Sequence, residues 1–158
     1  MPVPSQLIID EAIRFERNLA SLYLQFLEAF PEDEDLWWKL SIDEQRHASL
    51  LETGQKLFHD EFASEMVIAD LDGLRRSNED LESMIRRLGE EPVDRLEAFR
   101  MAIRFECDEN EATLFDLLEI GPSDPASTLV DTLKREDLVH EQRIRDYAAN
   151  AGITIAPG

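Results

Sequence analysis

The sequence predicts an all-α protein built as a four-helix bundle, and three observations predict it. Gly and Pro are few, at 6 and 7 of 158 residues, while Leu, Glu, Arg and Ala are common, which favours helix. Apolar residues recur every three or four positions along four long stretches. The breaks between stretches carry Pro and Gly, where helices stop.

The first helix is expected over residues 5–30, capped by Ser5 and stopped by Pro31, with the stripe Ile9, Ala12, Ile13, Leu19, Ala20, Tyr23, Phe26, Leu27 and Phe30. The second covers 34–58. Its "PEDED" start puts acids where the helix dipole favours them, and its stripe is Leu36, Trp37, Leu40, Ala48 and Leu51. The third covers 92–119, opened by Pro92 and closed by Gly121 and Pro122. The fourth covers 126–150, with Leu129, Leu133, Ile144, Tyr147 and Ala148 inward and Gly152 beyond its end.

The connections set the topology. The first two helices are joined by a few residues around Pro31, and the last two by a few around Pro122, so each pair is an antiparallel hairpin. Between the hairpins lies a crossover, 59–91, holding a short helix, "RRSNEDLESMIRRL", ended by Gly89. Two hairpins with one long crossover are the ferritin-like arrangement, as a single domain over 1–158.

Hydrophobic residues make up 43% of the chain, enough for a real core at this length. The single cysteine, Cys107, excludes a disulfide framework and any Cys-x-x-Cys module. The start "MPVPSQLIIDEAIRFE" lacks a basic segment, and no apolar run nears the roughly 20 residues that span a bilayer. A cytoplasmic protein with no membrane partner is expected. A net charge of −19 repels phosphate backbones, so nucleic acid is not an expected partner. The same charge serves solubility and would also draw cations such as Fe²⁺.

Four polar patterns interrupt the apolar stripes. The pentapeptide "AIRFE" occurs twice, at Ala12–Glu16 and Ala102–Glu106, placing Glu16 and Glu106 on inward faces. The second helix carries Glu44-x-x-His47 in "DEQRH", and the fourth carries Asp137-x-x-His140 in "EDLVH". An i, i+3 carboxylate and imidazole point at one spot, as a metal requires. Glu16 and His47 are 31 residues apart, and Glu106 and His140 are 34 apart. Each hairpin thus repeats the order carboxylate, then carboxylate-x-x-histidine. That is the ligand set of a di-iron or di-manganese carboxylate bundle. A lone buried carboxylate would otherwise need an inward arginine, because unpaired burial costs several kcal/mol.

On "FERNLASLY", "DEQRHASLLE", "AIRFECDE" and "DLVHEQRI" the chain resembles the rubrerythrin-like branch of the ferritin-like superfamily, over nearly its whole length. The resemblance implies a non-haem centre of two iron ions, with manganese or a mixed pair as the alternative. It implies an oxidoreductase that reduces peroxide or oxygen, or oxidises Fe²⁺. It assigns Glu16, Glu44, His47, Glu106, Asp137 and His140 as metal ligands, Glu109 as an extra glutamate ligand, and Tyr23 as a tyrosine beside the ligands. The absent Cys-x-x-Cys pair implies an external electron donor, such as a rubredoxin-like protein. Asp137 stands where the family has glutamate, so its shorter side chain leaves room for Glu136 to substitute. A homodimer or larger homo-oligomer is expected. The competing expectations are an iron-binding or iron-delivery protein without turnover, and a metal-free structural bundle.

Three smaller expectations complete the reading. His59 belongs on the surface, and Cys107 is a buried thiol turned away from Glu106. Trp37 and Trp38 serve core and interface packing. The two copies of the repeat drift from an offset of 90 at "AIRFE" to 92 at Leu22-Tyr23 against Leu114-Phe115. Leu27-Glu28 against Leu118-Glu119 is offset by 91, so at least one extra residue in "CDENEAT" fits a π-bulge that would turn Glu109 inward, against a regular helix with "DENE" exposed.

Overall fold

A computed structural model describes residues 5–57, 71–106 and 125–155. Among the described residues the chain is all helical: α1 (Ser5–Ala29), a 3₁₀ turn (Pro31–Asp33), α2 (Glu34–Leu57), α3 (Leu71–Glu90), α4 (Arg95–Glu106) and α5 (Pro125–Asn150). The expected first, second and fourth helices lie within a residue of these bounds. Residues 107–124, with Cys107, Glu109 and the anticipated bulge, lie outside the described set, as do His59 and the link at 58–70. No described helix is long and apolar enough to cross a membrane.

Two expectations are corrected. The crossover helix is not short: it runs for 20 residues, starts before "RRSNEDLESMIRRL" and continues through Gly89. Its buried face is Leu71, Gly73, Leu74, Ser77, Asn78 and Leu81, so a polar pair interrupts the apolar stripe. The third helix starts at Arg95, not at Pro92. The reason is a side-chain cap: the Glu97 N–H donates to Asp94 Oδ1 at 2.8 Å, satisfying a donor that the helix start leaves free.

Paired residues give the helix directions. Between α1 and α2, Asp10 meets Gln55, Arg17 meets Glu52 and Tyr23 stacks on Trp37, so the two run antiparallel. Between α2 and α5, His47 meets Glu136 and Asp43 meets Arg143, again antiparallel. Between α4 and α5, Phe99 meets Tyr147 and Glu106 meets His140, a third antiparallel pair. Between α3 and α1, Asn78 meets Glu11, Glu82 meets Arg14 and Ile85 meets Gln25, so α3 runs parallel to α1. The α3 helix is therefore the crossover itself, carrying the chain back along α1 before α4 turns to run against it.

The core lies between these helices, around Phe15, Leu19, Leu22, Tyr23, Phe26, Trp37, Leu40, Phe99, Ala102 and Ile144. Trp37 is fully buried against Tyr23, Phe26 and Phe99, while Trp38 is 54% exposed. The C-terminal end of α5 closes with a Schellman pattern. Ile153 N–H reaches Ala148 O at 2.8 Å, Gly152 N–H reaches Ala149 O at 3.2 Å, and Gly152 takes φ +75°. Only glycine adopts that φ without a Cβ penalty, and the turn seats Ile153 on the core.

A carboxylate clamp ties both hairpins together at the α1–α2 turn. Fully buried Asp33 accepts from Arg95 Nε at 2.7 Å and Nη2 at 2.6 Å, and from the Tyr147 hydroxyl at 2.9 Å. Asp33→Ala should lower stability by about 1–3 kcal/mol, since it removes charge-assisted bonds while Arg95 can turn to water. A urea titration checks this as a lower midpoint with an unchanged slope.

Candidate metal centre

The two copies of "AIRFE" place their glutamates as the repeat anticipates. In α1, Ile13, Phe15 and Glu16 are buried, and in α4, Ile103, Phe105 and Glu106 are buried. Glu44 and His47 on α2, one turn apart, are both fully buried, and His140 on α5 is 1% exposed. Four helices thus send three carboxylates and two imidazoles into one apolar interior.

Glu44 is the centre of the arrangement. Its Oε2 lies 3.3 Å from His47 Nδ1, and its Oε1 lies 2.9 Å from His140 Nδ1. Glu16 Oε2 lies 3.6 Å from His47 Nδ1, and Glu106 Oε1 lies 3.7 Å from His140 Nδ1. The two rings stack with centroids 5.1 Å apart. Each histidine thus has a second buried glutamate near it, Glu16 for His47 and Glu106 for His140, with Glu44 between the two rings.

The residues fit a metal. A metal with bonds of about 2.1 Å sets its ligand atoms roughly 3.0–3.4 Å apart, close to these spacings. Among the described residues, both Glu44 oxygens, Glu16 Oε2, Glu106 Oε2 and His140 Nδ1 are buried without a hydrogen-bond partner of good geometry. Buried polar atoms are nearly always satisfied, so such a cluster calls for a ligand. The buried Glu44, His47 and His140 could hold a metal ion, with donor atoms within 4.8 Å of one another.

The outer nitrogens explain how the rings are aimed. His47 Nε2 meets Glu136 Oε2 at 2.6 Å, and His140 Nε2 meets Asp43 Oδ2 at 3.1 Å. An arginine holds each of these acids in turn: Arg46 pairs with Glu136, and Arg143 donates to Asp43 at 3.0 Å. Burial disfavours the charge on Asp43, but Arg143 and His140 outweigh it and hold its carboxyl below the usual range. Burial is likewise outweighed at Glu136, by His47 and Arg46. Both acids are therefore ionised and can only accept, so each Nε2 carries the proton and each Nδ1 faces Glu44. A carboxylate on the far nitrogen is the usual partner of a metal-ligating histidine.

Glu136 is the residue that the sequence left open as a substitute ligand. Its carboxylate engages the ring nitrogen turned away from Glu44. The side chain of Asp137 and all of Glu109 lie outside the described set. Tyr23 lies beside the cluster, its hydroxyl donating to Glu106 Oε1 at 2.5 Å. The roles of Asp43, Arg46 and Arg143 were not anticipated. A signal was present: an acid stands four residues before each histidine, at Asp43 and Glu136, on the same helix face. Each acid serves the histidine of the other helix.

Without a metal, protons balance this cluster. Burial and the charge of Glu44 push the Glu16 carboxyl up to about 8 from 4.5. Burial opposes charge on the imidazoles, but the glutamates win: His47 rises to about 12 and His140 to about 11, from 6.5. The histidine contribution is fully present below the unfolded value and is lost as pH rises through the folded values. The Glu16 penalty grows from 4.5 to about 8. Both make the folded, metal-free chain bind more protons than the unfolded one, so its stability should fall as pH rises from about 4.5, where Glu16 begins to titrate in the unfolded chain, to about 11, where His140 titrates in the folded one. Urea midpoints of chelator-treated protein check the sign, and a His47→Gln, His140→Gln double variant should flatten the slope.

Compared with known proteins, the chain matches no protein-family model, no curated protein and no solved structure.

Proposed function

We propose that this chain is a ferritin-like, non-haem dinuclear-metal oxidoreductase of rubrerythrin type. Two bound iron ions, or manganese or a mixed pair, would supply the redox chemistry for reducing peroxide or oxygen or for oxidising Fe²⁺ as substrate. The observation that carries the reading is Glu44 set between two histidines, each backed by its own buried glutamate. That is a two-metal ligand set with one shared carboxylate. The helix directions support it, because two antiparallel hairpins joined by a long crossover are the ferritin-like topology.

Glu16 and His47 would hold one ion, Glu106 and His140 the other, and Glu44 both. Glu109 and Asp137 are further ligands by resemblance. Bound iron supplies reversible one-electron redox chemistry. The chain's own residues do the rest. Asp43 and Glu136 hold the imidazoles with Nδ1 inward. Tyr23 holds Glu106 and can pass a proton to it. Ile13, Phe15, Ala102, Ile103 and Phe105 add buried apolar surface on the two helices that carry Glu16 and Glu106. Electrons would come from an external donor protein. Exposed Trp38 and Ile42 on α2, with Leu138 and Val139 on α5, support self-association, which light scattering would register as a dimer or larger.

The test is anaerobic loading with Fe²⁺ followed by stoichiometric peroxide in a stopped-flow instrument. Oxidation much faster than that of free Fe²⁺, and slowed in His47→Ala and His140→Ala, supports turnover. Iron that binds but oxidises no faster than free Fe²⁺ would show a delivery protein instead.

A further inference from the structure

Helices α3 and α4 are joined by residues 91–94, and a groove of about 310 Å³ lies between them. Its floor is apolar. Met101 is buried, and Met84, Leu88 and Val93 are half-buried against the core. At Leu88 and Val93 it adjoins a second cavity of about 290 Å³, walled by Phe26, Ala29, Phe30 and Pro92. Three exposed guanidinium groups stand along its rim: Arg87 from α3, with Arg100 and Arg104 from α4.

This rim differs from the rest of the chain. Acids outnumber bases by 35 to 16, so an arginine finds a carboxylate easily. Arg14, Arg17, Arg46, Arg95, Arg143 and Arg145 each hold one. Arg100 reaches Glu97 only at 3.9 Å, with both side chains about half exposed. Among the described residues, Arg87 and Arg104 make no ion pair, and Arg104 lies over the Phe105 ring, 5.6 Å from its centroid. Glu91 and Glu97 share the rim, but three arginines against two glutamates leave it positive.

An apolar floor under unpaired guanidinium groups is the complement of an apolar stripe edged with carboxylates. Guanidinium forks match carboxylates two bonds at a time. Methionine side chains mould themselves to an apolar partner. Two helices flanking a groove offer ridges between which a third helix packs. Sites for small ligands enclose most of the ligand, whereas the exposed rim here would leave a small molecule largely in water.

We propose that the α3–α4 groove is a docking site for an acidic amphipathic helix of a partner protein. The apolar stripe of that helix lies on Met84, Leu88, Val93 and Met101, and its carboxylates meet Arg87 and Arg104. None of these residues is a candidate metal ligand, so the docking site stands whether or not the chain binds metal. The net charge of −19 repels an acidic partner elsewhere on the surface, so the groove sets where that partner binds.

The probe is a fluorescein-labelled peptide of about 18 residues, long enough to form helix. It carries leucines at i, i+3, i+4 and i+7 with glutamates between, and a twin carries lysines in place of the glutamates. Bulk charge alone favours the lysine twin on this chain. The groove predicts saturable one-to-one binding of the glutamate peptide to the full-length chain, read by fluorescence anisotropy. An Arg87→Gln, Arg104→Gln double variant should weaken it about tenfold. Both substitutions are at exposed positions, so circular dichroism should stay helical, and Arg145→Gln, outside the groove, should leave binding unchanged. No binding of the glutamate peptide, or binding that the double variant leaves intact, would overturn the proposal. A dimer in sedimentation that the double variant dissolves, with no peptide bound, would also overturn it, because a second copy would then fill the groove.

Discussion

Glu44→Ala should remove metal from both half-sites at once, whereas His47→Ala and His140→Ala should each impair chiefly one. The asymmetry follows from position. One Glu44 oxygen faces each histidine, at 3.3 and 2.9 Å, so its loss takes a ligand from both halves. Each histidine serves one half only, with its own glutamate, Glu16 or Glu106. Removing even an outer partner of a ligating histidine costs about 10–100-fold in affinity, so loss of a shared ligand should cost at least ~100-fold. Competition with a chelator of known affinity measures this. The metal-free protein should remain folded, because the apolar core around Trp37 and Leu40 does not depend on Glu44. Equal losses in all three variants would argue against a shared carboxylate.

Trp37→Ala should cost about 3–5 kcal/mol, the largest stability effect expected of any single truncation here. Trp37 is the largest fully buried side chain, and its ring lies 5.8, 5.0 and 5.1 Å from Tyr23, Phe26 and Phe99. Those partners come from α1 and α4, so one truncation opens a cavity between both hairpins. Denaturant unfolding checks the loss, and Trp37→Phe, which refills most of the space, should recover much of it. A cost below about 1 kcal/mol would mean that the surrounding rings collapse into the space.

How much of this could be read from the sequence depended on range. Glu16, Glu44, His47, Glu106 and His140 each sit in a stripe of period three to four, and burial of that stripe fixes which way they point. Periodicity is local, so those five residues were legible. Helix α3 was underestimated because Ser77 and Asn78 occupy its buried face, where Asn78 meets the polar edge of α1 through Glu11 and Asn18. A polar pair inside the stripe looks like an exposed turn until its partner is known. Phe15 and Leu22 were left off the first stripe because α1 is packed by α2, α3 and α4, so more than one of its faces is buried. The hold of Asp43 on His140, and of Glu136 on His47, depends on the register of α2 against α5, which no local pattern sets.

Anomalous X-ray diffraction at the iron edge, from crystals of the iron-loaded chain, tests the central claim most directly. The account predicts two peaks flanking the Glu44 carboxylate, one beside His47 and Glu16 and the other beside His140 and Glu106. Iron confined to surface acids, or no peak within reach of Glu44, would contradict it.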